Sequence, residues 1–571
     1  MAQLRRKPVS SSEKKSKNPI AKAMSRARHS SFYHDLSLRG KNPLRLLGTP
    51  KDIWPGSATA GTKMVGGKIL AAGHVLSNPN NEQDIWPGGD VWRAQNLPDK
   101  WQEYLHSFRW LRDLNQAVDR KGAKERAEEL VESWIEENTQ WGEVSWRCDI
   151  VGERVTNWLI YAPLIMDTDD VIYRGRVLDI LARSARHLMK MSTDLPEGPG
   201  GLKAIIGLAF SGLFIPLGDS WLKQAVGYLK FSLGKEVLVD GGIRSRNPQE
   251  LLHLFMHMVL LRDAFAGMGK EAPEELGKAV SRMASCIRAL SHGDGKLPLF
   301  NGVTIERAED INAVIEKAKE EYAAEFDLEQ SGFARLENQK TVLIQDIGPP
   351  AEMELSSTCH AGALSFELSQ GRDRIIVNSG NAAYVQIGGQ DLEYISRSTA
   401  AHSTLVLNDQ NSSDILDDGL IGRGITEVSS KLISENGHYM LDAEHNGYVD
   451  DYGLIHRRLI YMNDQGDDIR GEDELRLSYK GDKNPVPFNI CFYLHPNISV
   501  LKTDDQIILE TPSGKKWAFF ARGADVAITE SIYFGEAGKV SPSQQIRLSG
   551  KTDGEKTTTL WSLKLQGNDQ E

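Results

Sequence analysis

The chain is poor in cysteine, and its four cysteines, Cys148, Cys286, Cys359 and Cys491, never fall in a C-x-x-C spacing. That excludes a disulfide-stapled scaffold and a zinc ribbon. Long apolar runs are missing too. The longest candidate, residues 204–217, is interrupted by Gly207, Ser211, Gly212 and Pro216, so no integral membrane segment is expected. The opening is basic, with nine Lys/Arg against Glu13 over residues 1–28, but no apolar stretch follows it as an export signal requires. Residues 1–40 are therefore read as a basic, disordered arm and the chain as cytoplasmic. The whole chain carries a net charge of −11, so everything after the arm is strongly acidic. Phosphate backbones are held by clustered cations, and a body of this sign excludes nucleic acid as a partner.

What is present is ordinary globular composition: 571 residues, 40% apolar, 25% charged, with 52 Gly and 22 Pro. That length exceeds a single hydrophobic core and predicts more than one domain. Residues 30–98 are rich in Gly, Pro and Asn and contain Asp-Ile-Trp-Pro-Gly twice, too few copies for a solenoid. From Trp101 to about Tyr322 the apolar residues recur at helical spacing, as in Trp101, Leu105 and Phe108. Gly/Pro/Asp clusters at 197–201, 240–242 and 292–295 separate the helices into antiparallel hairpins. Beyond Glu325 the period drops to two, as in Leu364, Phe366 and Leu368, with Gly371, Gly437, Gly466 and Gly514 at candidate hairpin turns. Helices followed by strands predict an α+β multidomain protein, not a wound α/β sheet. The expected divisions are a helical domain over 41–305, a connecting helix over 306–327 and a large antiparallel β-sandwich over 328–571.

Several segments together resemble the heparinase II/III-like polysaccharide lyases. They are Tyr104 to Asp113; Trp146 with Arg154, Asn157 and Trp158; Asp240 to Pro248; His360 to Phe366; Arg397 to Thr404; His445 to Tyr448; and His456 to Arg458. The resemblance implies an incomplete (α/α) toroid followed by a β-sandwich. It also implies β-elimination on a uronate-containing acidic polysaccharide or oligosaccharide bound between the two domains, and a periplasmic or envelope location as the alternative to the cytoplasm. Family members place Asn-His at a helical loop, a Tyr after the Asp-Gly-Gly loop and a His-Gly-His-Ala-Asp motif on the sandwich. Here those positions read Gly200-Gly201, Glu250, and Thr358, His360 and Gly362.

Elimination needs a cation to neutralise the uronate, a base for the C5 proton and an acid for the leaving oxygen. The candidates for catalysis are Tyr448, Arg246, His360 and Glu250, with Arg457 or Arg458 lowering the pKa of Tyr448. Arg244, Asn247, Arg154, Asn157 and Arg397 are candidates for binding substrate. Structural readings stand beside these: Glu250 as part of a capping box behind Asn247 and Pro248, Arg154 with Asn157 as a buried network, His253 and His257 as packing residues, and Tyr448 as a packed turn residue. No cofactor is required; the resemblance implies a possible zinc on His360, His402 and Asn378, with Asn378 replacing the anionic ligand. Two further functions stay open, a catalytically silent glycan-binding or cell-envelope scaffold, and a hydrolase using Glu250 with Asp240 or Asp149.

Overall fold

The computed structural model describes residues 34, 36–71, 74–76, 78, 85–87, 90–94, 97–318, 328–383, 385, 392–478, 484–503 and 506–567. The proposed arm lies almost wholly outside them, as does the second half of the expected connecting helix. Nine main helices build the N-terminal half: α1 (Asp99–Ser107), α2 (Arg120–Asn138), α3 (Cys148–Ile160), α4 (Val171–Met191), α5 (Pro199–Phe214), α6 (Asp219–Glu236), α7 (Pro248–Gly267), α8 (Glu274–Leu290) and α9 (Ala308–Ala318). Local chemistry sets several starts. Asp119 and Asp170 cap α2 and α4, and Asn247 accepts from the backbone N–H of Gln249 and Glu250 ahead of Pro248 on α7. A two-stranded hairpin, Leu70–Ala71 with His74–Val75, precedes them.

α5 is apolar around nearly its whole circumference and is buried along almost its entire length, which makes it a central helix rather than an amphipathic surface one. It packs against α3 through glycine. A Cβ on Gly207 would lie 2.5 Å from the Gly152 Cα, and one on Gly152 would strike the Lys203 carbonyl. Because Asp149 lies beside Gly200 and Gly152 beside Ala204, α3 and α5 run in parallel, as inner helices of a toroid do.

The C-terminal half is two antiparallel eight-stranded sheets face to face. One runs in the order Asp525–Tyr533, Ser541–Lys551, Pro487–Leu494, Asp373–Val377, Phe366–Gln370, Thr341–Asp346, Phe333–Asn338, with Leu405–Leu407 also on Pro487–Leu494. The other runs Ser499–Lys502, Ile507–Glu510, Lys516–Arg522, Lys556–Leu565, Asp468–Leu477, Leu454–Met462, His438–Tyr448, Val428–Glu435. Their inner faces supply one core, in which Phe366 stacks on Trp561 and both meet Phe492. The architecture is therefore the expected helical toroid followed by a β-sandwich.

Polar bonds dock the two halves. Arg246 reaches Asp346, Arg374 reaches Asp294, the Leu299 amide donates to Glu367, and Asn301 accepts from the His360 amide.

Candidate functional site

The N-terminal ends of α5 and α7 face the sandwich. Leu355, in the sandwich's short 3-10 turn Met353–Thr358, sits against Gly198 just before α5, and the Cys359 thiol approaches the Ser245 carbonyl just before α7. Below this contact a polar strip runs along the inner helices. Glu153 on α3 is bound by Lys203 of α5 at 2.8 Å and lies 3.5 Å from Arg109. Burial alone would raise the Glu153 pKa, but Lys203 and Arg109 override it and hold the carboxylate ionised, while Glu153 in turn keeps the buried Lys203 charged. His257 of α7 lies beside them, lowered to about 4 by burial and therefore neutral; its Nδ1 bonds the His253 carbonyl.

The strip continues on either side. Arg112 donates to Asp52 at 2.9 Å and lies over the Trp54 ring; Tyr161 also donates to Asp52. Trp54 meets His253 edge-on, and His253 lies 3.3 Å from Glu306. At the other end Arg147 binds both Asp149 and Glu103. Four cations, Arg109, Arg112, Arg147 and Lys203, thus meet four carboxylates, Asp52, Glu103, Asp149 and Glu153. Glu250 and Glu306 add two more. The strip is charge-dense without being basic.

The residues singled out by sequence do not converge on this strip as free groups. Tyr448 is a correction: its ring is buried in the sandwich core, its hydroxyl donates to the Leu405 carbonyl at 3.0 Å, and burial pushes its pKa up. Neither arginine beside it in sequence can lower that value. Period two sends Arg458 inward, where it grips Asp473 through two nitrogens, and Arg457 outward onto Asp442. Arg246 is a second correction. Its guanidinium donates to the carbonyls of Ser331, Gly332 and Pro349 and to Asp346, which leaves it an interdomain clamp rather than a uronate ligand.

Arg244 is held by Glu197, Glu236 and Glu352. Asn247 is spent as the α7 cap, and Glu250 accepts from the Ser245 hydroxyl at 2.6 Å. Arg154 and Asn157 are buried in the toroid, with Asn157 donating to the Ser107 carbonyl. Arg397 is buried on the carbonyls of Ser356, Cys359 and Gly419. Arg244 and Arg397 are therefore bonded to acids or to loop carbonyls, whereas Arg154 has one nitrogen on the Ser145 carbonyl and is otherwise walled off by aromatic rings.

Residues 322–562 match the family model described as heparinase II/III-like, C-terminal. This part of the chain belongs to the heparinase II/III-like family. Across the whole chain the fold of the family's lyases recurs. A crystal structure of heparinase III superposes with a TM-score of 0.70 at 14% identity, covering 95% of this chain and 91% of that one. Heparan sulfate lyase HepC from Pedobacter heparinus gives 0.57 at 16% identity, covering 97% and 91%. At such identities the likeness is one of fold. Among curated proteins, FtsZ-localized protein C of Caulobacter vibrioides is 27% identical over 544 residues, 90% of each chain.

The positions that the resemblance assigns to zinc hold His360, His402 and Asn378, with no carboxylate or thiolate among them. His402 donates from Nδ1 to the Ser398 carbonyl, which leaves Nε2 as an acceptor, and that atom is taken by His360 Nδ1 at 3.0 Å. Asn378 turns its oxygen to the Ser403 amide. At Gly362, where the motif carries Asp, a Cβ would lie 2.5 Å from the His402 ring. Two imidazoles and one amide whose oxygen already accepts a backbone N–H are a poor zinc set, since structural sites take four ligands from thiolate, imidazole and carboxylate. At Gly201, the second residue of the Asn-His position, a Cβ would collide with the Pro196 carbonyl, whereas one on Gly200 would meet only ordinary contacts at 3.6 Å and beyond.

The charged strip itself was missed from sequence. Its signal was a single Lys203 in an otherwise apolar α5, an ion that burial makes costly unless paired; Glu153 sits in the more mixed α3 beside Asp149, Arg154 and Asn157 and gave no such signal.

Proposed function

We propose that this chain keeps the polysaccharide-lyase fold as a binding scaffold without β-elimination, and that it localises with FtsZ, as the name of the Caulobacter relative says of that protein. The observation that carries the reading is the commitment of the sequence-nominated acids, bases and cations, Arg154 apart, to internal partners, with Gly201 and Gly362 packed tightly against their neighbours. A relative matching over 90% of both chains supports a shared role for the whole two-domain unit rather than for one domain. The test has two arms. The purified chain, incubated with polyuronates and glycosaminoglycans, should release no ultraviolet-absorbing unsaturated ends; a fluorescent fusion should coincide with FtsZ in cells that make both. Unsaturated product refutes the loss of chemistry, and a uniform distribution refutes the localisation.

A second reading, lyase action on an acidic glycan, is favoured by one feature of the strip. Lys203 and Arg109 are cations beside a neutral His257, a set that could neutralise a uronate and accept a proton if a substrate carboxylate displaced Glu153. If unsaturated ends appear, Lys203→Ala and His257→Gln should each abolish them, while Tyr448→Phe should not.

A further inference from the structure

Arg154 is 1% exposed, yet among the described residues it has no carboxylate partner. Its Nη1 donates to the carbonyls of Ser145 at 2.7 Å and His106 at 3.4 Å, and its Nε and Nη2 donate to nothing. The guanidinium lies 4.2 Å from the centroid of Trp134 and 5.5 Å from that of Trp146. One turn on, the indole N–H of Trp158 is buried and unpaired as well, and the Trp158 ring meets Trp134 at 5.7 Å. Residues four apart share a helix face, so these donors all line the side of α3 that packs on Trp134. The imidazoles nearby, His106 and His187, are both held neutral, lowered to about 3 chiefly by burial, with the charge of Arg154 adding to it.

An arginine cannot shed its proton to escape this setting. A buried, uncompensated charge is among the costliest features a fold can carry, and π-faces offset only part of it. The local structure supplies positive charge and N–H donors, with neutral rings as walls. We infer that the toroid interior holds a small monovalent anion of halide type against Arg154 Nε and Nη2 and the Trp158 indole. A carboxylate or sulfate of a glycan would not reach it, because aromatic rings enclose the arginine and packing of this density admits no sugar. The site is thus separate from the charged strip and independent of the function proposed above.

The experiment compares thermal unfolding of the full chain in sodium chloride, sodium bromide and sodium gluconate at equal ionic strength. Halide should raise the melting temperature by several degrees over gluconate, saturably with concentration. Arg154→Met should remove the increment, and Trp158→Phe, which keeps an aromatic side chain of smaller size and deletes the indole N–H, should shrink it. Should Arg154→Met fail to fold, Trp158→Phe and bromide anomalous scattering decide, with a peak expected beside the guanidinium. Equal melting in all three salts, an undiminished increment in Trp158→Phe, or no bromide peak beside Arg154 overturns the assignment.

Discussion

Arg246, at the turn that leads into α7, places its Nη2 2.5 Å from Oδ1 of Asp346 at the end of a sandwich strand, and this bond joins the two domains. Arg246 adopts a left-handed backbone conformation, φ 57°, to make it. Gly332 and Gly348 yield the space: a Cβ on either would lie 2.7 Å from the guanidinium.

Arg246→Ala should therefore destabilise the chain by about 3 kcal/mol or more, because it strands a buried carboxylate. Burial already holds Asp346 above the usual carboxylate range despite Arg246, so the variant's Asp346 must protonate or pay desolvation. The loss should be larger at mildly alkaline than at mildly acidic pH. Denaturant melts at two pH values check it, and an unchanged midpoint would show that the clamp carries no load.

Acid should destabilise the chain well above the carboxylate range. His106 and His187 are lowered to about 3, and His257 and His402 to about 4, in each case mainly by burial. The folded state binds these protons more weakly than the unfolded chain, whose histidines titrate near 6.5. Stability is then full above that value, falls as pH drops below it, and goes on falling until the folded pKa values are reached. At about pH 5.5 each such histidine costs on the order of 1 kcal/mol. A melting temperature flat from neutral pH down to 5 would contradict this.

Gly207→Ala should be severe and Gly227→Ala benign. The first drives a methyl group into the backbone of α3, an overpacking worth about 1–3 kcal/mol or more. Gly227, within α6, has open space around its Cβ position, and alanine there should add about 0.5–1 kcal/mol through helix propensity. Paired thermal melts measure the contrast.

Tyr448→Phe should lose about 1 kcal/mol, the net worth of its bond to the Leu405 carbonyl, and leave glycan binding unaltered. Isothermal titration with an oligosaccharide that the wild type binds would check the second half. Weakened binding with unchanged stability would restore Tyr448 to the site.

What the sequence by itself determined was periodic and local. The step from helical spacing to alternation after Glu325, the Asn247-Pro248 start of α7 and the uninterrupted apolar α5 follow from neighbours within a turn or two, so architecture and family were legible before any coordinates. The partners of the ionisable groups were not. Arg246 meets Asp346 across 100 positions, His360 meets His402 across 42, and Tyr448 finds Leu405 across 43. A motif names a side chain but not the lone pair or carboxylate that will face it, and in a low-dielectric interior that facing group decides whether an arginine clamps a domain or binds a sugar, and whether a tyrosine titrates or only packs. Only the tertiary structure brought those groups together, and it closed Arg246, His360 and Tyr448 upon internal partners.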